Sequence, residues 1–247
     1  MAMDPESRKK LQILLLLAIV VAAGRAGYIV YDRYQERKEN QKPKQEVALK
    51  ADYYISPKKL HPYDLKSARE LTKQPVWVRA GYYHTYYPYD LAHHKTNFGH
   101  EAGTLLPLQK LQIQDVVTDT SPEAPGAKQV LARFELEGKA YVVPIGVEKT
   151  GDFKIYSDDI FFVEDPHDLY KHWPSDVWQA INAHEAHPGM NELQTSFALG
   201  GGIPEGSGDY GSRTLHYANG GKPISVTFRG DKAVEIKPKA LDIMRRG

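Results

Sequence analysis

The hydrophobic positions of this chain fall into three successive patterns, and each predicts a different kind of element. From Leu11 to Gly24 nearly every residue is apolar, and the run continues through Arg25 to Tyr31. As a helix it spans roughly 30 Å, about the thickness of a bilayer's hydrocarbon core. Between Val76 and Val163 apolar and polar residues alternate in short segments, which is the period of strands. From Ser175 onward the spacing first turns helical and then returns to alternation. The fold expected from these periods is a single N-terminal transmembrane helix, then an all-β small barrel, then an α+β unit of two helices plus a three-stranded antiparallel meander. The corresponding divisions are 1–44 (transmembrane and juxtamembrane helix), 45–75 (packed arm or linker), 76–166 (barrel) and 174–240 (α+β).

The run from Leu11 has three readings: an uncleaved membrane anchor, a cleaved secretory signal ending at Ala22, Ala23 and Gly24, or a buried core helix. A core helix apolar on every face needs a large domain around it. A signal stops at its small residues, whereas Tyr28, Ile29, Val30 and Tyr31 carry the pattern on, the two tyrosines placed like an interfacial aromatic belt. The anchor is therefore the expectation. Arg25 opposes it by about 2.5–3.5 kcal/mol at a bilayer centre, and by less near the end, where the guanidinium reaches headgroups. Ala18, Ala22 and Ala26 recur every four residues, as do Ala23 and Gly27, a smooth stripe against which a second helix packs closely. Basic residues flank both ends, and their tally alone places the large domain in the cytoplasm.

A charged stretch then predicts a solvated helix that Pro43 ends. Tyr53, Tyr54 and Tyr63 mark the next segment as an arm packed on the domain, with a short helix over Asp64–Thr72. Expected strands are Val76–Arg79, Leu105–Val117, Val130–Leu136, Ala140–Ile145, Phe153–Tyr156 and Ile160–Val163, with Glu137-Gly138-Lys139 a tight hairpin. This layout is similar to Src-homology-3-like barrels at the level of fold alone. Ser175 is expected to cap a helix bearing Val177, Trp178 and Ile181, and Asn191 a second one with Gln194 as capping-box partner. Strands Arg213–Tyr217, Ile224–Phe228 and Ala233–Ile236 complete the meander.

Composition narrows the chemistry. The 247 residues carry a net charge of +1, so no global basic field points to nucleic acid. The absence of cysteine excludes disulfides, thiolate metal sites, thiol nucleophiles and c-type haem attachment. His84, His93, His94 and His100-Glu101 share one loop region, but no spacing matches a metal motif, and they read as loop imidazoles packed among tyrosines. His184-Glu-Ala-His187 is shorter than the His-Glu-x-x-His motif. Asp158-Asp159 and Glu164-Asp165 point to opposite faces of a strand, which makes neither a catalytic pair. Gly200–Gly211 lacks the Lys-Ser/Thr of a phosphate loop, and no Gly-x-Ser-x-Gly elbow occurs. No catalytic residue, metal ligand or cofactor is assigned. The strongest surface signal is Tyr82, Tyr83, Tyr86, Tyr87 and Tyr89, a candidate partner-binding cluster, because Tyr offers large contact area with a polar tip.

The run His187-Pro-Gly-Met-Asn-Glu-Leu-Gln-Thr-Ser-Phe-Ala-Leu-Gly200 resembles the helix–turn–helix segment of the SmpA/OmlA (BamE-like) family. The stretch from Tyr217 to Ile236 is similar to that family's closing hairpin. The resemblance covers roughly Asp176 to Ile236, about a quarter of the chain, and stops short of the barrel. It implies an extracytoplasmic domain used for protein contacts without catalysis. Such proteins are usually tethered through a lipidated Cys, which is missing here, so the N-terminal helix is expected to replace it. The combined expectation is a single-pass protein of the cytoplasmic (inner) membrane with its bulk on the periplasmic side. It would be a non-catalytic scaffold or accessory subunit docking onto a membrane or envelope protein assembly, with no nucleic-acid partner. The alternatives are a cell-wall or glycan-binding module and a metal-dependent hydrolase using the His84–His100 loop.

Overall fold

The computed structural model describes residues 25, 27, 28, 31, 33, 34, 51–79 and 81–238. They belong to two compact units, Met1–Tyr54 and Ile55–Gly247. In the first, residues 25, 27, 28, 31, 33 and 34 are helical and Ala51–Tyr54 forms a 3-10 turn. No helix among the described residues is long and apolar enough to cross a membrane. The helical positions described include Arg25 and Arg33, charged side chains that a hydrocarbon core disfavours. This corrects the transmembrane helix, and with it the single-pass inner-membrane location and the periplasmic placement of the bulk of the chain. Arg25, Tyr28 and Tyr31, expected at a membrane interface, are helical and exposed, as is Gly27. Ala18, Ala22, Ala26 and most of the apolar run lie outside the described residues.

The second unit is mostly β, with a nearly closed barrel-like sheet and few helices, so the expected fold class is corrected here too. Helix α1 (Leu65–Ala68) opens on a reciprocal cap. Asp64 Oδ1 accepts from the Ser67 N–H at 2.7 Å, and Ser67 Oγ accepts from the Asp64 N–H at 3.0 Å. With the following 3-10 turn (Arg69–Thr72), it buries Ala68 and Leu71 in the barrel core. Ten strands follow: β1 (Val76–Val78), β2 (Thr85–Asp90), β3 (Lys95–Thr96), β4 (Gly103–Thr104), β5 (Lys110–Leu111), β6 (Asp115–Thr120), β7 (Ala127–Leu136), β8 (Lys139–Lys149), β9 (Asp152–Ile155) and β10 (Phe161–Phe162). Seven of them form the main sheet in the order β3-β2-β8-β7-β6, with β4 on β2 and β9 on β8. The β7–β8 hairpin turns through Glu137 (φ 50°) and Gly138 (φ 74°), the two positive φ values that a right-twisted two-residue turn demands.

Two expected strands are corrected. Leu105–Val117 is broken: Pro107 interrupts the ladder and Leu108 takes φ 52°, leaving only Lys110–Leu111 and the start of β6 extended. Ile160–Val163 begins instead as the end of helix α2 (Ser157–Ile160), and only Phe161–Phe162 pairs.

The small sheet β10-β1-β5 is a wall shared by two cores. Alternation sends Val76, Val78 and Phe161 into the barrel core, and Trp77 and Phe162 into the core of the C-terminal lobe. That lobe consists of α3 (Pro166–Leu169), α4 (Ser175–Asn182), α5 (Glu192–Leu199) and the sheet β11 (Gly202–Pro204), β12 (Thr214–Tyr217), β13 (Ile224–Phe228), β14 (Ala233–Pro238). Its sheet has four strands in sequence order rather than three, because the Gly-Ile-Pro segment pairs antiparallel with β12. Pro174, not Ser175, occupies the cap position of α4, and no side chain caps it. Asn191 does cap α5: its Oδ1 accepts from the Gln194 N–H at 2.8 Å, and Gln194 Oε1 accepts from the Asn191 N–H at 2.9 Å.

Candidate functional site: a groove at the barrel mouth

The tyrosine run is distributed by the pleat of β2. Tyr86 points into the barrel, edge-on to Phe134 (5.7 Å between centroids) and Tyr141 (5.1 Å). Gly103 makes room for it, since a Cβ there would lie 2.7 Å from Tyr86 Oη. Tyr87 and Tyr89 face the other way, Tyr87 edge-on to Phe98 at 5.3 Å and Tyr89 buried with Leu131 and Val142. Burial pushes the phenols of Tyr86, Tyr87 and Tyr89 above their ordinary pKa. Tyr82 and Tyr83 precede the strand and are tied to the C-terminal lobe. The Tyr82 ring meets His184 edge-on, and Tyr83 Oη donates to the Gly201 carbonyl at 2.9 Å. The five tyrosines are thus not brought together as one surface, and only Tyr83 is exposed.

What the run does create is a groove. A concavity of about 690 Å³ opens at the end of β2, lined by Pro88, Tyr89 and Asp90, by Glu101 on the following loop, and by Lys139 and Tyr141 of β8. This lies within the range of small-molecule sites, roughly 300–1,000 Å³. A second concavity of about 480 Å³ shares Pro88, Tyr89 and Asp90 and adds Lys95, Thr96 and Asn97. Asp90 shapes the lip: Oδ1 accepts from the N–H groups of Ala92 (2.8 Å) and His93 (3.0 Å), and Oδ2 lies 2.7 Å from His93 Nδ1. The His93 ring contact, then the His93 backbone contact, holds the Asp90 carboxyl below its ordinary pKa. The side chains of Glu101 and Lys139 are exposed and have no hydrogen-bond or ion-pair partner among the described residues.

The remaining sequence candidates resolve into structural roles. His93, His94 and His100 are exposed, His100 on the lining of the larger concavity, and His84 is half-buried with its pKa pushed down by desolvation. Among the described residues no group of three or more His, Asp or Glu is placed to hold a metal ion. Asp158 and Glu164 accept backbone N–H groups of the segment before α1, from Leu60, His61 and Lys58. Asp165 caps α3 and contacts His167. His184 Nδ1 lies 3.2 Å from the Ala198 carbonyl.

Two constellations were invisible along the chain. On the outer face of the C-terminal sheet, Ser225 Oγ lies 2.9 Å from His216 Nδ1, and His216 Nε2 3.4 Å from Glu205 Oε2. The period-2 signal of β12 and β13 carries this row once the register His216↔Ser225 is known. It resembles a nucleophile–base–acid relay, but Ser225 sits mid-strand, where backbone N–H groups belong to the ladders and are not available as an oxyanion hole. The other constellation is the pair of the buried Glu192 and the partly exposed Arg213, with Tyr210 against the guanidinium at 5.3 Å. No family model, curated protein or solved structure matches the chain.

Proposed function

We propose that this protein is a non-catalytic binding module, a scaffold or accessory subunit that engages its partner through the barrel-mouth groove. The observation that carries this reading is the groove itself: a concavity at Pro88–Asp90 bordered by the unengaged charges of Glu101 and Lys139, with a second concavity on the β3 side of the same strand end. Docking of the C-terminal lobe onto a protein assembly is part of the proposal. It is supported by the resemblance of His187–Gly200 and Tyr217–Ile236 to the SmpA/OmlA family, and the Asn191–Gln194 capping box is compatible with it.

The test is a differential pull-down from cell extract, comparing the full chain with its Glu101→Ala/Lys139→Ala double variant by quantitative mass spectrometry. The expected result is a set of partners retained by the wild type and depleted by the variant. Equal retention by both would show that the groove is not the binding surface.

A further inference from the structure

We infer that the free edge of the C-terminal sheet pairs with the same edge of a second copy of this chain, antiparallel and centred on Ile236. The sheet runs β11-β12-β13-β14, so β11 and β14 are its two edges. They are finished differently. β11 is short and ends on Pro204, and the Gly201 carbonyl just before it accepts from the Tyr83 hydroxyl at 2.9 Å. β14 is covered at its start, where the Ala233 N–H donates to the Met190 carbonyl (2.7 Å) and the Ala233 carbonyl accepts from the Gly189 N–H (2.9 Å). Beyond that point no strand among the described residues lies on its outer side. Val234 is 51 % exposed, and Glu235, Lys237 and Pro238 are exposed as well. Ile236 is the midpoint of this open stretch.

The direction of its backbone groups follows from β13. The Phe228 N–H donates to the Arg213 carbonyl, so Phe228 faces β12, and alternation turns Thr227 and Ser225 toward β14. Their register partners Glu235 and Lys237 spend their backbone groups on β13, and Ile236 between them presents its N–H and C=O outward. A two-fold axis at Ile236 lets two copies exchange both hydrogen bonds of one antiparallel pair. Pro238, without an N–H, closes the ladder at each end. Charge selects this register. Glu235 and Lys237 share one face of the strand, with Nζ 2.8 Å from Oε1. Pairing centred on Ile236 sets Glu235 opposite Lys237 of the second copy, twice, and brings the exposed Val234 against Pro238. A two-residue slip opposes Glu235 to Glu235 or Lys237 to Lys237, and in-register parallel pairing aligns like with like. Directly opposed like charges destabilise a sheet, whereas opposite ones support it. The order of charges that guards this edge against other strands is complementary to itself.

The inference stands independently of the barrel-mouth groove. The test follows the full chain by sedimentation equilibrium from about 10 μM to about 1 mM. The wild type is expected to pass from one chain toward two across that range. Glu235→Lys and Lys237→Glu each oppose like charges across the axis, and each is expected to weaken self-association at least about tenfold. Mixing the two variants in equal amounts should restore it, because every charge of one then faces its opposite on the other. That recovery also shows that both variants fold. A wild type that stays single at about 1 mM, variants that associate as the wild type does, or a mixture no stronger than its components overturns the proposal. Glu101→Ala/Lys139→Ala is expected to associate unchanged, and its loss of association would overturn the proposal too, by placing the contact at the groove.

Discussion

Arg213 grips the Glu192 carboxylate with its fork: Nη2 lies 2.8 Å from Oε2, and Nε 3.2 Å from each oxygen. Glu192, in the first turn of α5, has a side chain only 3 % exposed, and its Oε1 also accepts the Gly211 N–H at 2.6 Å. The carboxylate thereby fixes the end of the Gly/Ser-rich loop onto the helix. Glu192 is buried but the Arg213 side chain is 25 % exposed, so removing the carboxylate leaves a partly solvated guanidinium, at a cost no higher than the lower end of the roughly 3–5 kcal/mol of a fully buried pair. Glu192→Ala is therefore expected to lower the unfolding free energy by about 3 kcal/mol in urea titration. A loss under about 1 kcal/mol would mean that the pair behaves like a screened surface contact.

Near that pair, the Tyr217 phenol is 1 % exposed, and its hydroxyl finds no hydrogen-bond partner among the described residues. Burial, followed by the Glu192 charge, pushes its pKa far upward. A buried hydroxyl without a partner is a desolvation penalty with no return, of about 1–3 kcal/mol. Tyr217→Phe keeps the ring that packs over Gly202 and removes the penalty. The expected outcome is a neutral to stabilising change in thermal unfolding, and a drop in Tm would reveal a bond that the hydroxyl makes.

The close approach of α5 to the turn before β2 gives a steric prediction. Gly200 has φ 83°, and a Cβ there would overlap the Gly81 carbonyl oxygen, a backbone atom that cannot swing aside. Gly221 has a similar φ of 88° but open space around it. Gly221→Ala thus incurs left-handed strain alone, about 1–2 kcal/mol. Gly200→Ala adds overpacking of about 1–3 kcal/mol. Gly200 also has ψ −166°, a backbone that only glycine adopts readily, so Gly200→Ala is expected to lose clearly more stability than Gly221→Ala in urea, and equal losses would refute both the close approach and the backbone constraint.

Local signals were legible wherever the partner was local. Asn191 and Gln194 are three residues apart, and Glu137-Gly138 is its own turn, so cap and hairpin could be read directly. Strand identity failed where tertiary pairing overrode composition. Gly202-Ile203-Pro204 reads as a breaker, yet β12 supplies it with a ladder. Leu111 and Ile113 are buried at strand-like spacing, yet β5 ends at Leu111 and neither Pro107 nor Leu108 belongs to a strand. The tyrosine run was visible as aromatic density, but only the pleat of β2 and its neighbours decides that Tyr86 turns inward and Tyr89 is covered. Glu101 and Lys139, which frame the groove, are ordinary charged loop and turn residues in sequence. Nothing short of the fold places them at one concavity.

Asp158 joins segments 97 and 98 residues apart. Its Oδ1 accepts from the Leu60 N–H at 3.0 Å and its Oδ2 from the His61 N–H at 2.8 Å. The side chain is 14 % exposed, and the contact coincides with the left-handed φ of 48° at His61. Without the carboxylate, the part-buried Leu60 N–H and the exposed His61 N–H lose their acceptor, costing about 1 kcal/mol. Asp158→Ala should therefore accelerate amide exchange at Leu60 and His61 before the barrel strands are affected. Uniform acceleration across β7 and β8 would show that the clamp belongs to the global fold rather than to this segment.

Acid sensitivity is expected in two steps, from groups with opposite reasons for staying as they are. The Asp119 side chain is 6 % exposed. Burial pushes its carboxyl up, but the Thr96 N–H (2.7 Å), the Lys95 ammonium (2.9 Å) and the Thr120 N–H (2.7 Å) outweigh it and hold the pKa below the usual value. The folded state then stays ionised where the unfolded chain already takes a proton. The resulting stability is complete above the unfolded carboxyl pKa, about 3.9, and is lost as pH falls through the lower folded value. His84 is held neutral by desolvation, with its folded pKa below the unfolded one of about 6.5. Below that pH the unfolded chain gains the proton first, so stability declines earlier by this route. Urea denaturation from about pH 8 to pH 3 should show a shallow decline below about pH 6.5 and a steeper one near pH 4. His84→Leu is expected to flatten the first and leave the second. Asp119→Asn should lower stability at neutral pH and reduce the acid step. If His84→Leu retains the full decline between neutral pH and pH 5, desolvation of His84 is not its source.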